Sequence, residues 1–430
     1  MAITGRAFAL AALGLLPVLL IPDPITVATW AVLWVAVIAT DAALAASLGS
    51  LEIVRAAMAA TRLTESTTSV LTVSNNGRRT LRGLVRDAWQ PSAGSGRNRH
   101  RLTLPPGESR RLTTPLTPQR RGDLMAGRVT IRSYGPWGFA ARQLSVEVPG
   151  TLRALPEFRA RRHLPSRLAR LREMDGRSAV NVRGPGTEFD SLREYVIGDD
   201  VRAIDWRASA RRSEMVVRTW RPERDRRVFI VLDTSRLSAA RLGDETRLES
   251  GIEAALLLTA LATKAGDHVE LVAIDQEVRA RVAGSQSAAV MSTMAASLAA
   301  VYPRLVEPDW TLVAQAVADR LSQRALVVLV SALEASTLES GMLPVAAALA
   351  ADHQVVVASA TDPGADELRA ARATSADLFD AAAAERASLE RRGIGVELRR
   401  TGVEVLEKLP DDLAPGLADT YLALKAAGRL

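Results

Sequence analysis

The chain has no cysteine. That removes a disulfide framework, a zinc–thiolate site and a thiol nucleophile. Aromatic residues make up only 4% of its 430 residues, too few for the stacking platforms on which single-stranded nucleic acids lie. Lysine occurs only at Lys264, Lys408 and Lys425, so a formal charge of +7 rests almost wholly on arginine. Acids are interspersed with those arginines, no long single-sign run forms, and the balance argues against a nucleic-acid partner. His100, His163, His268 and His353 are scattered without metal-ligand spacing. No Walker A sequence occurs, so ATP hydrolysis by this chain is not expected, and no Gly-x-Ser-x-Gly elbow is present. The expectation is a non-enzymatic protein without a resident cofactor.

What is present is apolar: 48% of residues are hydrophobic, enough for real cores, and the length suits two or three domains. Ala7 to Ile21 is uncharged, Pro22-Asp23-Pro24 breaks the run, and Ile25 to Leu48 is again apolar apart from Asp41. A spanning helix needs about 20 residues, which the second segment supplies and the first reaches only with its flanks. The expectation is a transmembrane helical hairpin over residues 1–48, with Asp41 toward the far end of the second helix, where a charge costs less. A signal peptide with Arg6 as its basic region is the alternative, but no small-x-small cleavage site follows. Arg6 precedes the first segment, Arg55 and Arg62 follow the second, and the turn carries only Asp23. The positive-inside rule then places a multi-pass protein in the inner membrane with its body in the cytoplasm.

Residues 49–156 alternate with period two. Val129 and Ile131 alternate with Arg128, Thr130 and Arg132; Leu144, Val146 and Val148 alternate with Gln143, Ser145 and Glu147. With turn signals at Asn75-Asn76-Gly77 and Pro105-Pro106-Gly107, this predicts half-buried strands in an antiparallel β-sandwich.

Residues 157–227 are rich in arginine. The centre runs through Arg183, Gly184, Gly186, Glu188, Phe189, Arg193, Glu194, Tyr195, Gly198, Asp199, Asp200, Arg202, Asp205 and Trp206. Guanidinium forks match carboxylates, so these acids read first as salt-bridge partners and these residues as docking elements. Gly184-Pro185-Gly186 lacks the context of a phosphate loop and reads as a turn.

From residue 228 onward, apolar runs at Val228–Leu232, His268–Ile274, Ala325–Val330 and Gln354–Ser359 alternate with helical patterns such as Thr246–Ala265, and Gly395–Leu398 is a candidate fifth strand. The prediction is a mostly parallel sheet between helices, with ligands at the strands' carboxyl ends. Asp233 lies at such an end.

The run from Arg183 to Arg211 resembles the signature of the domain of unknown function 58 family. Arg120-Arg121-Gly122 and Tyr134-Gly135-Pro136-Trp137-Gly138-Phe139 resemble two further elements of that family, the latter departing at its acid, and the resemblance extends over essentially the whole chain. Asp233-Thr234-Ser235 resembles the start of the von Willebrand factor A metal motif, in which oxygens hold a hard divalent cation. Carried across, Asp233, Ser235 and Thr311 match. Leu237 stands where a hydroxyl is needed, and Ser331-Ala332 where an aspartate is needed, so the resemblance implies a degenerate site for magnesium, with Asp275 and Glu334 as possible substitutes. The implied architecture is α+β and multidomain: hairpin 1–48, β-sandwich 49–156, docking segment 157–227, and a Rossmann-like, von Willebrand factor A-like α/β domain 228–430. The implied role is a membrane-anchored adaptor working with a MoxR-type AAA+ ATPase. A hydrolase using the acids of 183–211 and a metal-dependent adhesion module are the alternatives.

Overall fold

The computed structural model describes residues 2–181, 188–196, 199–212, 214–221, 226–284 and 287–430. The predicted docking residues Arg183, Gly184, Gly186 and Gly198 lie outside these, as do the side chains of Glu188 and Phe189. The protein is a mixed α/β molecule with two compact units, residues 1–157 and 158–430.

The first unit starts with a short strand β1 (Ala2–Ile3), helices α1 (Gly5–Leu13) and α2 (Leu15–Leu20), and the long helix α3 (Pro24–Leu44). Asp23 caps α3 by accepting from the Ile25 amide at 3.0 Å, and Pro24 suits the first helical turn, where no amide partner is needed. Among the described residues, α3 is the one helix long and apolar enough to cross a membrane; the helical run Gly5–Leu20 is shorter. α3 ends at Leu44 rather than continuing to Leu48 as the apolar run suggested, because Ala45 turns extended and Ala46 and Leu48 bury in the β core instead.

Strands β2 (Leu51–Arg55), β3 (Thr61–Arg62), β4 (Thr67–Asn75), β5 (Leu81–Trp89), β6 (Arg99–Leu104), β7 (Ser109–Leu116), β8 (Gly122–Tyr134), β9 (Ala140–Glu147) and β10 (Thr151–Leu155) follow. A three-stranded sheet runs β2-β4-β7, and a seven-stranded one runs β1-β9-β8-β10-β3, with β5 paired to β8 and β6 to β5. Alternate residues of both sheets, Leu71, Val73 and Leu112 from one and Val85, Leu102, Val129 and Ile131 from the other, bury in a single apolar cluster. Each such side chain contributes about 1.5–3 kcal/mol on burial.

The second unit contains α4 (Leu164–Asn181), the antiparallel pair β11 (Glu188–Glu194) and β12 (Val216–Arg221) with α5 (Trp206–Arg212) between them, and then the α/β body. The body comprises β13 (Arg227–Asp233), a small hairpin β14 (Arg241–Leu242) and β15 (Glu245–Thr246), α6 (Arg247–Lys264), β16 (His268–Ile274), β17 (Val278–Gly284), α7 (Ser287–Ala299) and α8 (Trp310–Ala318). It ends with β18 (Leu326–Val330), α9 (Ala335–Glu339), α10 (Met342–Asp352), β19 (Gln354–Ala360), α11 (Ala365–Ala370), α12 (Ser375–Arg400), β20 (Glu404–Lys408) and α13 (Pro410–Ala426). The sheet order is β17-β16-β13-β18-β19-β20, with only β17 antiparallel. β18 and β19 are buried at every residue, as β-branched runs covered on both faces must be.

The edge strand differs from expectation. Gly395–Leu398 is helical and lies inside α12, whose capping box pairs Thr374 with Asp377. Ile394 and Leu398, four apart, face the core together, so the apolar residues follow helical rather than strand periodicity. The edge strand is Glu404–Lys408.

Candidate functional site at the strand ends

β13 delivers Asp233 to the carboxyl end of the sheet, where it is buried. One carboxylate oxygen accepts from the Ser235 amide at 2.8 Å, and the other meets the Ser331 hydroxyl at 2.6 Å. The Ser238 hydroxyl donates to the Asp233 carbonyl at 2.6 Å, closing the loop that follows the strand. Burial pushes the Asp233 carboxyl above the usual carboxylate range, against the hydrogen bonds from Ser331 and Ser235 and the nearby Arg247 charge.

Arg247, at the first turn of α6, ties the site together. It donates to the Leu237 carbonyl at 2.9 Å and the Ala360 carbonyl at 3.3 Å, and pairs with Glu334 at 2.9 Å. Asp275, at the end of β16, accepts from the amides of Gln276 and Glu277 at 2.7 and 3.1 Å and from the Thr234 hydroxyl at 3.2 Å. Both suggested substitute ligands, Glu334 and Asp275, are thus engaged.

These residues do not fit a magnesium ion. Magnesium demands six oxygens in near-ideal octahedral geometry, one or two of them from carboxylates and the rest largely water, which needs both free carboxylate oxygens and room for the waters. Here the carboxylate Asp233 has both oxygens in hydrogen bonds. Thr311 is engaged elsewhere: its hydroxyl and amide both donate to Asp309, at 2.6 and 2.9 Å, and Asp309 caps α8. Those bonds, the Thr311 hydroxyl first, hold the Asp309 carboxyl below its ordinary range. The cavity beside Asp233, Ser238, Arg247 and Ser331 is about 10 Å³, room for one water at most. The Ser235 hydroxyl is buried beside the Asp233 carboxylate and acts against the rise in its pKa.

The loop before α8 forms the rim. The Arg304 amide donates to the Thr234 carbonyl at 2.8 Å and the Arg236 amide to the Val306 carbonyl at 2.9 Å; the Asp309 amide reaches the Asp275 carbonyl at 3.0 Å. This lacing presents Leu305, 83% exposed, and Tyr302, 47% exposed, beside ion pairs of Arg236 with Glu307 and Arg304 with Glu277. Sequence reasoning passed over this rim; its signal was the pair of apolar residues between Pro303 and Pro308 in a helix-to-helix connection. Ser331 and Arg247 carried no comparable signal.

The arginine-rich module is closed by its own charges. Arg193 grips Asp199 with two bonds of 2.7 and 2.6 Å, and Asp199 also accepts from the Val196 amide. Asp200 accepts from the Arg202 amide at 2.9 Å. Asp205 caps α5 through the amides of Arg207 and Ala208 and pairs with Arg218 at 2.8 Å; those amide bonds, that of Ala208 first, and Arg218 lower its pKa. The Tyr195 amide donates to the Met215 carbonyl at 2.8 Å, extending the strand pair past Glu194. Trp206 starts α5 and stands 66% exposed, with Val196, Val201 and Met215 also exposed.

The family described as "Protein of unknown function DUF58" matches residues 191–400, which span the later part of this module and most of the α/β body. The chain is similar to uncharacterized proteins of Mycobacterium bovis and Mycobacterium tuberculosis, 26% identical over 189 residues, covering 44% of this chain and 59% of each relative. It thus spans about three fifths of their length. Among solved structures it is similar to BatB from Bacteroides thetaiotaomicron, at 15% identity and TM-score 0.31 over 47% of this chain and 99% of that one. It is also similar to the SpRpn10 VWA domain, at 12% identity and TM-score 0.28 over 45% and 94%.

Proposed function

We propose that the protein is a non-enzymatic, membrane-tethered interaction module whose partner docks on the strand-end face of the α/β body. The observation that carries this reading is the rim at 300–309. A leucine and a tyrosine are held outward by backbone bonds to the 233–236 loop and flanked by arginines; tyrosine and arginine are enriched in binding hot spots, and the exposed leucine adds apolar area at their centre. Asp233, Asp275, Arg247 and Ser331 then act as the scaffold that fixes that rim. The acids of the arginine-rich module cap helices and pair with arginines, which supports a docking role for Trp206 and its exposed apolar neighbours over a hydrolytic one.

In this reading α3, together with the run Gly5–Leu20, forms a hairpin that crosses the inner membrane, the β unit is a sandwich, and both units face the cytoplasm. The family resemblance makes a MoxR-type AAA+ ATPase the expected partner, with a client protein remodelled between them. Binding of the purified full-length protein to such an ATPase, measured by interferometry, tests it. Leu305→Asp should weaken binding at least tenfold, the loss of one central anchor. Equal affinity for Leu305→Asp and the parent, or binding that follows only Asp200→Asn or Asp205→Asn, would move the partner site off the strand-end face.

A further inference from the structure

The geometry points to a binding site for the phosphate of an anionic phospholipid at the end of the hairpin where α1 begins and α3 ends. This rests on the proposal that α3 spans a membrane. Arg142 donates through Nε to the Ala42 carbonyl at 2.9 Å and through Nη2 to the Ala43 carbonyl at 3.5 Å. Arg79 donates to that same Ala43 carbonyl at 2.7 Å. Two guanidinium groups therefore converge on one oxygen. The helix C-terminus they cap supplies only about half a negative charge. Among the described residues, no carboxylate lies within ion-pair distance of Arg79, Arg142 or Arg6, whose own guanidinium reaches the Trp137 carbonyl at 3.5 Å. Asp41, buried one residue before Ala42, offsets one of these three charges while its carboxylate is spent on backbone amides of the same turn, so a positive surplus remains.

Its depth is set by the helix. A 21-residue helix is about 31 Å long, close to the hydrocarbon thickness of a bilayer, so Ala42 and Ala43 emerge at headgroup level. Trp137, 49% exposed, lies on the turn that receives this end, where an amphipathic indole suits the interface. A phosphodiester at that level offers guanidinium forks the anionic oxygens the protein does not supply. A zwitterionic headgroup brings its own cation to the same place, so the surplus selects for lipids of net negative charge.

The test uses the full chain in nanodiscs of phosphatidylcholine alone or with phosphatidylglycerol. Phosphatidylglycerol retained per chain through purification is counted by mass spectrometry, and amide exchange of residues 135–140 is followed in both lipids. The parent should retain phosphatidylglycerol and show slower exchange in its presence. The Arg79→Gln/Arg142→Gln variant should lose both effects, with lipid affinity falling roughly 30-fold, while Arg79→Lys/Arg142→Lys should keep part of the retention. Removal of the exposed Arg386, which belongs to the other unit, should change nothing. Identical exchange and retention for the parent in the two lipids overturns the site, whatever the variants do. Resistance to carbonate extraction from vesicles is measured separately: a parent protein released by carbonate refutes the membrane span itself, whereas a resistant protein indifferent to phosphatidylglycerol refutes only the lipid site.

Discussion

Replacing Asp41 by alanine should open the turn at residues 135–140. Asp41 is fully buried near the end of α3, and its carboxylate accepts from three backbone amides, those of Trp137, Phe139 and Ala140, at 2.9, 2.7 and 2.9 Å. The turn is shaped for it: a Cβ on Gly135 would fall 2.2 Å from the Asp41 carboxylate, so only glycine allows this approach. Thr4 adds to the same turn by donating from its hydroxyl to the Gly138 carbonyl at 2.7 Å. A buried amide left without an acceptor costs about 1–3 kcal/mol; the Ala140 amide is buried and those of Trp137 and Phe139 partly so, and Asp41→Ala is expected to cost ~3 kcal/mol. Asp41→Asn retains one carbonyl acceptor and should lose roughly half as much. Hydrogen exchange of residues 135–141 in the full chain reads this directly, with alanine faster than asparagine and asparagine faster than the parent. An acid merely tolerated at a helix end would behave oppositely: alanine would be neutral or stabilising there. Unchanged exchange in both variants, with an unchanged unfolding midpoint, would refute the reasoning.

Three further outcomes follow from the same kind of accounting. A Cβ on Gly14 would lie 1.8 Å from the Trp30 indole nitrogen, so Gly14→Leu should drive the two helical runs apart, read as faster amide exchange over residues 10–20 than in the parent, and unchanged exchange there would contradict it. Lys425 holds Asp267 at 2.9 and 3.1 Å, with Tyr421 also bonded to Asp267 in a buried cluster, so Lys425→Met should cost about 3–5 kcal/mol by chemical denaturation and Asp267→Leu/Lys425→Met should recover much of it. Asp233 has a folded pKa above its unfolded value, so its ionisation penalises the folded state as pH rises from the unfolded value through the folded one; relative to the parent, Asp233→Asn should become steadily more stable across that window and level off above it, and an advantage that shrinks with rising pH would contradict the burial argument.

Much of this fold can be read locally. The alternation at 128–132 and 143–147 marks the paired strands β8 and β9, and the β-branched runs mark the centre of the parallel sheet. Where local pattern competes with a second period, it misleads: Gly395–Leu398 looks extended over four residues, but the 26-residue helix around it decides its state. The sites are less legible because their partners are distant in sequence. Asp41 meets Trp137 across 96 positions and Asp233 meets Ser331 across 98, and no spacing rule links such pairs. A side chain's identity also does not reveal its occupancy. Thr311 is of the type a metal site needs, but Asp309, two residues earlier, takes its hydroxyl for a helix cap.

The central claim is that a protein partner contacts the strand-end rim. Photo-crosslinking in intact cells, from a benzophenone amino acid at position 305 and, as a control, at exposed position 322 ahead of β18 at the opposite end of the sheet, tests it most directly. An adduct with a AAA+ ATPase is expected from position 305 and none from 322. Adducts of equal yield from both positions, or an ATPase adduct from 322 alone, would contradict it.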